Sequence, residues 1–159
     1  MTNDGFYKST RFNFLQVNIV NYCANECHNQ RSGEKSVARM IEAYNQALLS
    51  RDCGEELNES LILKLARTID NRNDRGYRQT EVTFQEVIVP PTKAQLVPQA
   101  MERLLENMDG ATVDEFVRTF LVIHPFVDGN GRCAAILHNY LNGTLDAPQP
   151  LPIYFGEKV

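Results

Sequence analysis

Apolar residues recur at helical spacing along most of this chain. Val37, Met40, Ile41, Tyr44 and Leu48 share one face of a 3.6-residue period and predict a helix over 34–50. Leu61, Leu65, Ala66 and Ile69 predict a second, with Asn58 placed to accept from its first free N–H groups. Thr92 and Gln95 have capping-box spacing and open a third pattern, which carries Leu96, Val97, Ala100, Met101, Leu104 and Leu105 on one face. Thr112 and Glu115 repeat that spacing before Phe116, Val117, Phe120 and Leu121. A last helix is predicted from about Asn130 to Leu141, with Ile136, Leu137, Tyr140 and Leu141 as its apolar face, before a turn at Asn142 and Gly143.

One stretch breaks the period. From Thr80 to Val89 the residues alternate and are rich in β-branched types, which predicts an extended segment or short hairpin. Pro90 and Pro91 end it, because proline supplies no ladder donor. A lone hairpin is marginal in water, so this one must pack on the helices or gain a further strand. No internal repeat or low-complexity tract interrupts the chain.

With 159 residues, the chain suits one domain with a real core and is short for two. Its 43% apolar and 23% charged residues are globular proportions. A net charge of −4 argues against nucleic acid as a partner, since such binders carry a basic face. No apolar run is long enough for a membrane span, and the first residues lack the apolar stretch of a signal peptide. A cytoplasmic setting is therefore expected, with a secreted effector as the other option. Cys23, Cys27, Cys53 and Cys133 are then expected to be free thiols. Cys23, Cys27 and His28 hint at a metal site, but no second pair of ligands stands elsewhere at zinc spacing.

The chemistry concentrates in His124-Pro125-Phe126-Val127-Asp128-Gly129-Asn130-Gly131-Arg132, between two predicted helices. His124 has the one common side chain whose ordinary pKa lets it accept a proton near neutrality. Asp128 is a hard oxygen ligand suited to Mg²⁺, which takes few protein carboxylates and completes its shell with phosphates and water. Gly129, Asn130 and Gly131 can present consecutive backbone N–H groups, which at a helix N-terminus form an anion cradle. Arg132 opposes the helix dipole in the first turn, a placement that an anion in the cradle reverses. Phe126 and Val127 read as anchors of the loop. Two plainer readings exist. An EF-hand loop fails, because Arg132 and Asn139 occupy its fifth and twelfth positions. An ordinary turn entering a helix remains open on these residues alone.

The run resembles the signature of the Fic (Fic/Doc) family, His-Pro-Phe-x-(Asp/Glu)-Gly-Asn-Gly-Arg, at every specified position. Gly76, Tyr77 and Arg78, the extended segment, Pro90 and Pro91, and the helix around Met101 are similar to that family's flap and following helix. The resemblance implies a mainly helical, all-α Fic fold with a small β-hairpin flap. It implies a single domain over 1–159, with a core at about 34–155 and an N-terminal extension over 1–33. Implied too is a protein adenylyltransferase that moves AMP from ATP to a Ser, Thr or Tyr hydroxyl of a target protein. On that reading His124 is the general base, Asp128 holds Mg²⁺, and Gly129, Asn130, Gly131 and Arg132 bind the phosphates. Thr80, Glu81, Val82, Thr83 and Phe84 would dock the target backbone as an added strand. ATP and Mg²⁺ are then substrate and cofactor. A hydroxyl-bearing target protein is the implied partner, and an antitoxin or other regulatory protein a further candidate. Nucleic acid and membrane are not expected partners, and the sequence carries no signal for an oligomeric state.

Two departures matter. Many members carry a second arginine three residues after the first, where this chain has Ala135. That substitution keeps a nucleotide-binding pseudoenzyme open, although such a module has no need for a base beside a metal ligand. A Doc-like kinase is the other alternative, but Doc-type motifs carry lysine where Gly131 stands. Inhibited members also carry Ser/Thr-x3-Glu-Gly/Asn. The nearest match here is Tyr22 to Cys27 around Glu26, which fails at both flanking positions.

Overall fold

The computed structural model describes residues 4–83 and 90–152, with side chains from residue 15 onward. Six α-helices follow in order: α1 (Asp4–Asn29), α2 (Lys35–Asp52), α3 (Glu59–Ile69), α4 (Val97–Glu106), α5 (Val113–Ile123) and α6 (Asn130–Asn142). The predicted helices are all present. Among the described residues there is no strand. Residues 80–83 run irregularly, and the rest of the predicted hairpin lies outside the described residues.

The caps are those that the side chains dictate at two helices. Asn58 Oδ1 accepts from Leu61 N at 2.9 Å and opens α3. Thr112 and Glu115 close a capping box on α5, with bonds of 3.1 and 2.9 Å. Each cap is worth about 1 kcal/mol. At the third, the expectation is corrected. Thr92 and Gln95 form no capping box, and a 3₁₀ turn over Ala94–Leu96 precedes α4. The backbone of Thr92 is engaged elsewhere, its N–H with Val122 O and its carbonyl with Arg78. Glu81 Oε1 instead accepts from Ala94 N at 3.0 Å, a cap delivered across the intervening segment. Leu96, expected on the buried face, is 45% exposed, while Val97, Met101 and Leu104 are buried.

Helix α6 is the centre of the molecule and touches α1, α2, α3 and α5. Cys133, Ala134, Ala135, Ile136 and Leu137 are fully buried on successive positions, which makes α6 apolar all round over its middle turns. Ala135, at the site of the missing arginine, is therefore a core residue. Helix α1 packs against α2 and α6 through Ile19, Tyr22, Cys23 and Cys27. Tyr22 stacks edge-on to Tyr44 at 5.8 Å and accepts from Asn139 Nδ2 at 3.0 Å. The four cysteines are free thiols. No described helix is long and apolar enough to cross a membrane.

Candidate active site

Helix α5 ends at Ile123 because Pro125 cannot continue it. His124 closes the helix in the left-handed region, at φ 49° and ψ 61°. That conformation costs a non-glycine residue roughly 1 kcal/mol, so its surroundings must hold it there. Arg78 does so. Its buried guanidinium donates to His124 O at 2.6 Å, Ile123 O at 3.1 Å, Thr80 O at 2.8 Å and Thr92 O. Its backbone N–H donates to Pro125 O at 2.8 Å. One side chain thus holds the His124 turn together with Thr80 and Thr92. Burial first, and then the nearby Arg78 charge, push the His124 imidazole down to about 4, against a hydrogen bond to the Leu121 backbone and the pull of Asp128. The ring is therefore neutral across the physiological range.

Phe126 is fully buried, against Tyr77 at 5.7 Å and Phe120 at 6.4 Å, and anchors the loop as its residue type predicts. Asn130 Oδ1 accepts from Phe126 N and its Nδ2 donates to Phe126 O, both at 2.9 Å. The Asn130 carboxamide is thus engaged in closing the turn, and its contribution toward an anion is its backbone N–H. Gly129 begins α6 at φ 77°, and a Cβ there would lie 2.5 Å from Ile69 Cγ2, so only glycine fits. Gly131 faces Gln30: a Cβ would stand 2.4 Å from Gln30 Oε1. The N–H groups of Gly131 and Arg132 lie in the first turn, where no intrahelical acceptor exists. Arg132 is almost wholly buried, with Nη2 3.6 Å from Asp128 Oδ1. Asp128 Oδ1 also accepts from Gly129 N at 2.7 Å, and its Oδ2 lies 2.6 Å from Arg72 Nη2.

Residues 70–73, between α3 and the irregular segment, supply contacts that the pattern of the sequence did not mark. Buried Asn73 holds the loop on both sides of one peptide. Its Oδ1 accepts from Val127 N at 3.1 Å and its Nδ2 donates to Asp128 O at 2.9 Å. The same Nδ2 donates to Ala66 O at 2.9 Å and so pins the loop to α3. Asn73→Ala should lower unfolding free energy by about 2 kcal/mol, because it leaves buried peptide groups without partners. Urea denaturation measures this, and a loss under about 0.5 kcal/mol contradicts the clamp.

Of the predicted docking residues, Thr80, Glu81 and Thr83 are exposed and Val82 is half-buried, while Phe84 lies outside the described residues. Glu81 is engaged in the α4 cap described above. Glu26 is buried and bonded within the chain, accepting from Gln30 Nε2 at 3.1 Å and Leu151 N at 2.9 Å.

The donor set suits Mg²⁺. Asp128 offers a half-exposed carboxylate that already holds a cation, the Arg72 guanidinium. No cluster of three ligating side chains exists among the described residues, so a metal here would rely on one carboxylate and on phosphate oxygens. The sequence profile of the Fic/DOC family matches residues 56–141, which run from the start of α3 to the end of α6 and include Asn73, Arg78 and the whole loop. No curated protein matches the chain.

Proposed function

The chain belongs to the Fic/DOC family, a family of transferases, and from that premise we propose that it is a protein adenylyltransferase. It moves AMP from ATP to a Ser, Thr or Tyr hydroxyl of a target protein. One observation carries this reading: a neutral, positioned imidazole at His124 opens the same short loop that presents Asp128, two first-turn N–H groups and Arg132.

In the reaction, His124 takes the proton of the target hydroxyl. The hydroxyl oxygen forms a bond to the α-phosphorus, and the bond to the α–β bridging oxygen breaks, so pyrophosphate leaves with that electron pair. Arg132 and the N–H groups of Gly131 and Arg132 would stabilise the charge that increases on the phosphate oxygens. Asp128 would hold Mg²⁺, which supplies charge neutralisation on the polyphosphate when bound. Positioning and electrostatics supply the rest. Residues 80–83, of which Thr80, Glu81 and Thr83 are exposed, would receive the target backbone as an added strand.

Incubation with Mg²⁺, a host lysate and ATP labelled at the α- or γ-phosphate tests this. Label from α alone is expected on protein. Label from γ alone means a kinase of the Doc type, and bound ATP with no label means a pseudoenzyme. Asp128→Ala should abolish both the labelling and its dependence on Mg²⁺. An undiminished rate in that variant removes Asp128 from the site.

A further inference from the structure

Arg72 stands on the other side of Asp128 from Arg132. It belongs to the 3₁₀ turn Asn71–Asn73, whose cap is Asp70: Asp70 Oδ1 accepts from Arg72 N at 2.8 Å. The same carboxylate grips one edge of the Arg72 fork, with Nε to Oδ1 at 3.1 Å and Nη2 to Oδ2 at 2.9 Å. Nη2 also reaches Asp128 Oδ2 at 2.6 Å. Among the described residues, no hydrogen bond uses Nη1. The side chain is 62% exposed, and the contact with Asp70 holds it firmly charged. Asp70 thus preorganises a guanidinium at the rim of the loop, with donors left over and its cation seated on the one carboxylate suited to a metal.

That arrangement has a consequence. A divalent cation on Asp128 repels Arg72 from Oδ2 and removes its partner there. The nearest anion that can then satisfy the released donors is the polyphosphate that arrives with the cation. A guanidinium matches phosphate oxygens in a way that a lone ammonium does not. We propose that Arg72 is a polyphosphate-binding residue of this site, which pairs with Asp128 while the site is empty and moves to the phosphates when metal and nucleotide enter. This rests on the transferase reading, since it needs a metal-bound polyphosphate as ligand. It also gives the site a second cation beside Arg132, drawn from α3's end and not from α6, where Ala135 is buried in the core.

The test is a pair of binding measurements on Arg72→Gln, which keeps a polar side chain and removes the charge. Mn²⁺ binding without nucleotide is read by electron paramagnetic resonance. ATP binding at saturating Mg²⁺, the condition in which Arg72 leaves Asp128, is read by calorimetry. Arg72→Gln should bind Mn²⁺ several-fold more tightly, because the competing guanidinium is gone. It should bind ATP about tenfold more weakly, and that difference should shrink at high salt. Arg72→Lys should recover part of the ATP affinity and none of the fork geometry. Opposite signs for the two ligands exclude a general loss of structure. If ATP affinity is unchanged, or if both affinities fall together, Arg72 is only a brace on the loop and the proposal is overturned. Wild-type protein that transfers AMP while Arg72→Gln binds ATP normally overturns this inference alone. Wild-type protein that binds no ATP with or without Mg²⁺ overturns the transferase reading and this inference with it.

Discussion

His124→Ala lowers the rate of label transfer by about a thousandfold, within the range for loss of a positioned general base. ATP binding should stay nearly unchanged, because on the proposed reading the phosphate donors are those of Gly131, Arg132 and Arg72. The pH profile carries a second expectation. The imidazole, pushed down to about 4 first by burial and then by Arg78, accepts a proton only in acid. Its base form is therefore fully present at neutrality, and kcat/KM, which reports the free enzyme, should stay level as pH falls to about 5 and drop only near the folded value. The sign for stability follows. The unfolded imidazole binds a proton below about 6.5 and the folded one resists it, so His124 destabilises the fold increasingly as pH falls from 6.5 toward 4. An acid limb of kcat/KM near 6.5 would show that the ring is not enclosed as described. Equal labelling by His124→Ala would show that it is not the base.

The helices that position this base were largely legible in the sequence, and the reason is local. Asn58, Thr112 and Glu115 act on residues three positions away, and the periods of α2 to α6 are set by their own apolar faces. The loop from His124 to Arg132 was legible for the same reason, since its chemistry lies in nine consecutive residues. What escaped is non-local. Asn73 reaches Asp128 across 55 positions and Arg72 across 56, and as Asp70-Asn71-Arg72-Asn73-Asp74 they read as a polar linker. The Thr92 signature failed because long-range demands on its backbone, from Val122 and Arg78, outweighed a local cap. Helix α1 escaped because asparagines at 13, 18, 21, 25 and 29 dilute a narrow apolar stripe at Ile19, Tyr22 and Cys23. The motif marks Asn130 for its chemistry, but that its side chain also closes the turn on Phe126 is a role that only the fold displays.

Arg78→Met should be the most destabilising single substitution among the residues around the loop. Methionine fills much of the volume and removes every donor. The carbonyls of Ile123, His124, Thr80 and Thr92 then lose their shared partner in a place that water reaches poorly. Loss of such a network costs about 3–5 kcal/mol. For a domain of this size that lowers Tm by about 10 °C, which thermal unfolding followed by circular dichroism will show. Arg78→Lys keeps the charge, but one ammonium cannot span four carbonyls in different directions, so it should recover less than half of the loss. Activity should fall further than stability accounts for at temperatures where both variants are folded. Arg78 donates to the carbonyl of the left-handed His124, and on the proposed reading an imidazole that leaves that geometry takes the proton from the wrong place. A loss of less than about 1 kcal/mol in Arg78→Met would mean that the four carbonyls find water instead, and that the turn at His124 holds itself.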